Sequence, residues 1–181
     1  MVEQQLIERC KKGDREAQRL LYEQFSGALY GCCLKYAPNQ QEAQDILQDS
    51  FITIYAKISQ FKNKGSFEGW CKRITINTAL QRYRGTQVHF LKNEEHIIDQ
   101  SDDVDTLEDV AMDEMLVMIQ SLPHQYRMVF SLYVLDGQSH KEIAGLMNIN
   151  TNTSKSNLSR ARFKLQQMIQ EWRINNKCDA S

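Results

Sequence analysis

The sequence predicts an all-α protein of two small helical domains joined by an acidic flexible linker, the C-terminal domain containing a helix-turn-helix. Glycine and proline are scarce, at 8 and 2 of 181 residues, so long segments lack helix-breaking residues. Apolar residues recur at the spacing i, i+3, i+4 over most of the chain, which indicates amphipathic helices. This rhythm is lost between residues 86 and 106, where aspartates collect, and such a composition favours a linker.

Charge is distributed unevenly along the chain. Residues 1–88 hold 13 Lys and Arg against 9 Asp and Glu, residues 89–121 hold one Lys against 10, and residues 122–181 hold 8 against 4. The net charge of -1 alone would argue against a nucleic-acid binder, but two basic segments flank an acidic connector. We therefore expect domains at residues 1–88 and 107–181, with the linker at residues 89–106.

The first domain is predicted to contain a series of amphipathic helices. A short helix includes Leu6, and Asp14 is placed to cap a longer second helix. The break at Ala37-Pro38-Asn39 precedes a third helix, Gln41–Ile58. A polar loop containing a glycine then leads into a fourth helix, at about Phe67–Arg84.

Helical rhythm resumes at Leu107 and ends in two short helices joined by a tight turn. Ser139 and Glu142 form a capping-box pair that starts the first of these two helices. Asn148 tolerates the left-handed backbone of a turn, and Asn150 is a plausible N-cap for the basic second helix. This is how a protein presents a helix to the major groove of DNA, although an ordinary helical hairpin with a solvated basic face has the same pattern.

The start and the exposed face of that second helix carry side chains suited to base edges. Asparagine can pair with adenine, and lysine can reach guanine or phosphate. These candidates are Thr151, Asn152, Ser154, Lys155, Asn157 and Ser159. Arg160 and Arg162 are expected to hold phosphates, which fixes position without reading sequence. Ser and Asn on an exposed helix also serve solubility alone.

Two helices of the first domain carry candidate binding faces. The fourth combines basic residues with aromatic ones, as a single-strand surface does, although Trp70 at helical spacing also suits a core. The basic residues are Lys72, Arg73, Arg82 and Arg84, and the aromatic ones are Trp70 and Tyr83. The third helix has an acidic and amide face at Glu42, Asp45, Gln48 and Asp49. That face is either solvated or a protein-docking surface.

Enzyme, metal and cofactor signatures are absent from the sequence. The five cysteines include no C-x-x-C pair, and the four histidines are scattered. Cys10, Cys33 and Cys71 fit apolar helix faces as small core residues. The sequence contains no run of about 18 apolar residues, so it predicts no membrane span. We expect a cytoplasmic, non-enzymatic protein without cofactor or metal.

Several segments, in order, resemble the extracytoplasmic-function (ECF) group of bacterial RNA polymerase sigma factors. Together they cover nearly the whole chain apart from the linker, and their specificity comes from the combination. The segments are Asp45–Phe51, Phe61–Trp70, Arg73–Asn77, Leu122-Pro123, Glu142–Ala144, Thr153, Lys155-Ser156 and Leu158–Arg162.

The resemblance implies three binding roles. Docking on the clamp helices of the polymerase core is expected from Asp45, Gln48, Asp49 and Phe51. Capture of the melted -10 element is expected from Lys62, Asn63, Lys64, Trp70, Arg73, Asn77 and Arg84. Reading of the duplex -35 element, next to the polymerase flap, is expected from Thr151, Asn152, Thr153, Lys155, Ser156, Asn157, Arg160 and Arg162.

The resemblance has further implications and some departures. The acidic linker is similar to a segment that threads the RNA exit channel, or it is a plain tether. An anti-sigma factor is a possible partner. Such factors usually carry an aliphatic residue where Ser154 stands, an arginine where Asn157 stands and a turn glycine where Asn148 stands. The -35 sequence that this chain reads is therefore expected to be unusual.

Two other functions compete with that of a sigma factor. A free-standing helix-turn-helix regulator would bind duplex DNA without polymerase, usually as a dimer on two half-sites. A helical protein-interaction module would bind no DNA. The basic second helix of the C-terminal pair, together with the absence of any ligand-pocket or receiver-domain signature in the sequence, favours the sigma-factor interpretation over both.

Overall fold

The computed structural model describes residues 3–84 and 110–178, except for the side chains of residues 84, 177 and 178. The prediction of an all-α protein is confirmed, because these residues form helices and the described part of the chain contains no strand. The chain divides into two compact units, Met1–Arg84 and Gly85–Ser181. The predicted linker at residues 89–106 lies outside the described residues, and the predicted domain boundaries stay predictions.

The first unit contains four α-helices and one short 3-10 turn among its described residues. They are α1 (Glu3–Lys11), α2 (Arg15–Tyr36), α3 (Gln40–Lys57), the 3-10 turn Ile58–Gln60 and α4 (Phe67–Arg84). The predicted cap at Asp14 is confirmed, because its carboxylate accepts hydrogen bonds from the backbone N–H groups of Glu16 and Ala17. After the break at Pro38, the Asn39 side chain caps α3 in the same way, accepting from Glu42 N at 2.9 Å.

The core of the first unit lies between α2, α3 and α4, with α1 packed on α2. Leu21, Leu29, Ile46 and Ile54 are fully buried there. The predicted core cysteines are confirmed, because Cys10, Cys33 and Cys71 are all buried. Burial raises the pKa of the Cys33 and Cys71 thiols to about 12, so both remain protonated packing groups.

The second unit consists of a helical pair followed by the predicted two-helix motif. Its elements are α5 (Met112–Ser121), α6 (His124–Phe130) with a π-helical turn at Ser131–Leu135, α7 (His140–Met147) and α8 (Thr151–Cys178). The capping box between Ser139 and Glu142 is confirmed. Asn148 adopts the left-handed conformation, at φ 56° and ψ 46°, as the turn requires. Asn150 caps α8 by accepting from Thr153 N at 2.6 Å.

Helix α8 forms the centre of the second unit and packs against α6, α7 and α5. Leu158, Ala161, Leu165 and Ile169 give it a buried stripe at helical spacing. At one end, Trp172 Nε1 donates to Glu114 Oε1 on α5 at 3.0 Å. The first turn of α8 is therefore continuous with a long helix that is packed along its length. No helix in either described range is long and apolar enough to cross a membrane.

Candidate protein-docking and nucleic-acid interfaces

The acidic face of α3 is formed by Glu42, Asp45 and Asp49, and a single guanidinium contacts all three carboxylates. Arg82 on α4 donates from Nε to Glu42 Oε2 at 2.9 Å, from Nη2 to Asp45 Oδ2 at 2.9 Å and from Nη1 to Asp49 Oδ2 at 3.1 Å. One cation among three carboxylates leaves this face acidic. Because Asp49 keeps 52 % of its side chain exposed, solvent screens the attraction and the contacts remain exchangeable.

An exposed apolar residue continues the acidic face towards the end of α3. Ile52 is 68 % exposed and lies one turn after Gln48 and Asp49, both of which are also exposed. Phe51, in contrast, is 3 % exposed, and its ring lies 4.6 Å from that of Tyr22. In this structure Phe51 supports the face from the interior and does not form part of its surface.

The loop between the 3-10 turn and α4 places a cluster of polar residues in solvent. Lys62, Asn63 and Lys64 are all exposed. The loop turns through positive φ angles at Asn63 (55°) and Gly65 (90°). Ser66 Oγ then accepts from Gly69 N at 3.0 Å, and a Cβ at Gly69 would lie 2.9 Å from that oxygen. A side chain at position 69 would displace the Ser66 hydroxyl from this bond, which holds the loop close to the start of α4.

The start of α4 combines a stacked indole with exposed polar side chains. The Trp70 ring stacks on Phe67, with centroids 5.6 Å apart and planes at 26°, and remains partly exposed. Arg73 and Asn77 follow at i+3 and i+7, so the three side chains share one face, and both are exposed. Lys72 instead pairs with Glu68 at 2.6 Å. The side chain of Arg84 lies outside the described residues.

The first three turns of α8 sort the predicted DNA-contacting residues into exposed and buried groups. Thr151, Asn152, Lys155 and Ser156 are exposed, while Thr153, Ser159, Arg160 and Arg162 are partly exposed. The expectation that Ser154 and Asn157 lie on the exposed face is wrong, because they are 0 % and 3 % exposed. Both extend the buried stripe of Leu158 and Ala161 towards the helix start, on the side that packs against α6 and α7.

Sequence reasoning missed the contacts that link residues far apart along the chain. The pairing of Arg82 with the acidic face spans 33 to 40 positions, so no local pattern signals it. The sequence carries a weak signal that Ile52 is exposed, because this residue falls outside the i, i+3, i+4 pattern of apolar positions in α3. Among the described residues, no group of three or more His, Cys, Asp or Glu side chains is placed to hold a metal ion.

Comparison with protein-family models identifies both units. The model for sigma-70 region 2 matches residues 21–88, and the model for sigma-70 region 4 matches residues 112–165. The acidic face of α3, the 62–66 loop and α4 fall within the first match. The two helices of the predicted helix-turn-helix, α7 and the first half of α8, fall within the second. Together the two matches cover more than half of the chain.

Individual relatives match over nearly their whole length. The ECF RNA polymerase sigma-E factor of Haemophilus influenzae is 29 % identical over 94 % of this chain and 96 % of its own. The RNA polymerase sigma-H factor of Pseudomonas aeruginosa is 29 % identical over 93 % and 94 %. The sigma factor RpoE of Bartonella quintana, solved with the anti-sigma factor NepR, shares the fold with a TM-score of 0.52, 20 % identity and coverage of 84 % and 96 %. The chain therefore belongs to the sigma-70 family of RNA polymerase sigma factors, in its ECF group.

Proposed function

We propose that this sigma factor binds the RNA polymerase core through the acidic face of α3, reads the -35 element as duplex with α8, and holds the melted -10 element with α4 and its preceding loop. The chain selects the promoter, and the polymerase supplies the nucleotidyl chemistry. The protein is thus a non-enzymatic initiation factor that acts in the bacterial cytoplasm, where core polymerase and chromosome meet.

The observation that carries the DNA-reading role is the exposed start of α8. Its base-edge candidates are Thr151, Asn152, Lys155 and Ser156, with Thr153 partly exposed beside them. Arg160 and Arg162 lie further along the helix, where we expect them to hold phosphates. Asn157 is buried, and we propose that it supports the helix from inside.

The proposed -10 surface has the composition that single-stranded DNA requires. Lys62, Lys64 and Arg73 supply positive charge along the loop and helix, and all three are exposed. The partly exposed indole of Trp70, held by Phe67, offers a rigid face against which an unstacked base can lie. Asn63 and Asn77 add amide groups for the edge of such a base.

The proposed core-docking surface consists of Asp45, Gln48, Asp49 and the apolar Ile52, with Phe51 beneath it. An acidic face that ends in an exposed apolar residue suits a partner helix that carries basic and aliphatic side chains. We expect the clamp helices of the polymerase to be that partner. An anti-sigma factor would compete if it covered the same face.

The experiment that tests this function is a gel shift of a labelled promoter library, run with and without bacterial core polymerase. Retention and strand opening that need both proteins support the proposal, and the selected sequences give the promoter. If the chain alone shifts duplex DNA and core adds nothing, the protein acts as a free-standing regulator. If neither mixture shifts DNA, the proposal fails.

A charge-reversal variant tests the docking surface in the same assay. Asp49→Lys reverses a half-exposed carboxylate on α3, so we expect co-purification with core polymerase to be lost while circular dichroism shows the fold retained. Glu171→Lys makes the same charge change at an exposed position of α8, in the second unit, and serves as the matched control. Normal co-purification of Asp49→Lys would rule out this face.

A further inference from the structure

The first residue of α7 contacts the first turn of α8 through a polar side-chain pair. His140 Nδ1 lies 2.9 Å from Ser154 Oγ. The imidazole also stacks on Tyr133 in the π-helical turn, with ring centroids 4.5 Å apart and planes at 22°. Ser154 is fully buried. The histidine ring thus connects three elements of the helix-turn-helix: the turn before α7, the start of α7 and the start of α8.

The position of Ser154 makes this contact relevant to DNA reading. Ser154 is flanked in sequence by Thr153 and Lys155, and the exposed Thr151 and Asn152 lie within one turn of it. A change in the position of Ser154 therefore tilts or rotates the first turn of α8, which carries the proposed base-edge contacts. Misplacements of this kind weaken directional hydrogen bonds more than they weaken contacts with phosphates, because the phosphate attraction depends less on angle.

The electrostatic surroundings favour a neutral ring. Burial lowers the pKa of His140, and the positive charges of Lys155 and Arg162 lower it further. A neutral imidazole that is protonated at Nε2 offers Nδ1 as an acceptor, and the Ser154 hydroxyl then donates to it. Two polar groups on the inner side of the motif satisfy each other in this way, which fixes their relative orientation.

We propose that His140 is a positioning residue for -35 recognition, which acts through its hydrogen bond to Ser154 to fix the orientation of the first turn of α8. The inference rests on the proposed -35 role of α8. The proposed effect of this hydrogen bond is on how well the helix-turn-helix distinguishes one -35 sequence from another. His140 itself touches no base, and its stack on Tyr133 holds the ring in position to bond Ser154.

Three single variants and one double variant separate the hydrogen bond from the stack. His140→Phe keeps an aromatic ring against Tyr133 and removes the hydrogen bond. His140→Asn loses the ring and keeps an amide near the position of Nδ1. Ser154→Ala removes the hydroxyl from the other side. The double variant, His140→Phe with Ser154→Ala, measures whether the two side chains act as one unit.

The measured quantity is a discrimination ratio in the full holoenzyme. It compares binding to the -35 sequence selected by the wild type with binding to the same promoter altered at -35. We expect His140→Phe and Ser154→Ala each to lower the ratio about fivefold, roughly the contribution of one hydrogen bond. The double variant should fall no further, and His140→Asn should retain most of the ratio.

A purely structural role predicts a different result, since it would lower the melting temperature and the active fraction without changing the ratio. Unchanged ratios in all variants, additive losses in the double variant, or a His140→Asn ratio as low as that of His140→Phe would each overturn the inference. If wild-type holoenzyme itself shows no -35 discrimination, the proposed function of α8 fails and the inference falls with it. The wild-type arm therefore distinguishes the two failures.

Discussion

Arg82 Nη2 donates to Asp45 Oδ2 at 2.9 Å, joining the end of α4 to the acidic face of α3 across 37 positions of sequence. The same guanidinium also contacts Glu42 and Asp49. The face proposed to dock on polymerase is thus partly neutralised within the free sigma factor. A basic partner that binds these carboxylates must compete with Arg82, so the arginine affects docking affinity.

Replacing Arg82 by Gln should strengthen core binding severalfold at low ionic strength. The substitution leaves three carboxylates without their shared cation, which increases the attraction for a basic surface. The gain should shrink as salt is added, because these charges are solvent-exposed and screened within about 10 Å at 0.1 M salt. Titration of labelled sigma factor with core polymerase at two salt concentrations measures the effect.

Lys72→Gln provides the matched control, since it removes a cation from an ion pair on the same helix, with Glu68 at 2.6 Å. We expect that variant to change core affinity little. Weaker core binding by Arg82→Gln would show that Arg82 contributes to the docking surface itself.

Replacing Asn157 by Leu should stabilise the second unit and leave promoter choice unchanged. Asn157 is 3 % exposed, and no hydrogen-bond partner for its Nδ2 is found in the described part of the chain. A buried donor without a partner costs about 1–3 kcal/mol, so replacing the amide by an apolar side chain of similar shape should raise the unfolding free energy by about 1 kcal/mol. Chemical denaturation and the promoter-library selection measure the two effects.

Asn152→Leu is the control for that variant, because Asn152 is exposed and lies five positions earlier on the same helix. It should lose -35 discrimination without gaining stability. Relaxed promoter choice in Asn157→Leu would instead support the sequence-based expectation that Asn157 contacts DNA.

Acidification should destabilise the second unit through His124. Burial, assisted by the positive charge of Arg127, lowers the pKa of His124 from 6.5 to about 4. Between those values the unfolded chain binds a proton that the folded unit does not, so stability decreases as pH falls from 6.5 towards 4. At about 1.4 kcal/mol per unit of pKa shift, the loss by about pH 5 is on the order of 2 kcal/mol.

The contribution of His124 is isolated by comparison with His124→Gln. Carboxylates such as Asp14 and Glu142, whose pKa values are also lowered by hydrogen bonds, titrate in both proteins and cancel in the difference. Denaturation at several pH values, followed by Trp172 fluorescence in a Trp70→Phe background, gives that difference. Parallel pH profiles for the two proteins would show that His124 does not control this transition.

The sequence predicts features of this fold that depend on residues within one helical turn. The caps at Asp14 and at Ser139 with Glu142, and the left-handed turn at Asn148, are of this kind, because the groups that bond lie at most four positions apart. The side of α8 that is buried at its start depends instead on how α7 packs against it. Because Ser154 is polar, the local pattern predicts that it is exposed. It bonds instead to His140, which lies 14 positions earlier and is not part of that pattern.

Replacing Thr75 by Val should stabilise the first unit. Thr75 is fully buried on α4, and none of the described residues offers its Oγ1 a hydrogen bond. Valine has nearly the same shape and removes the hydroxyl that was desolvated without compensation, so the unfolding free energy should rise by about 1 kcal/mol. Thr78→Val on the same helix is the matched control, because Thr78 Oγ1 donates to Ile74 O at 2.9 Å and the substitution removes a bond already made. Urea denaturation followed by Trp70 fluorescence, in a Trp172→Phe background, should therefore place Thr75→Val above the parent and Thr78→Val at or below it. The reverse order would mean that the Thr75 hydroxyl is hydrogen-bonded in solution, for example by a buried water, and that valine removes its partner.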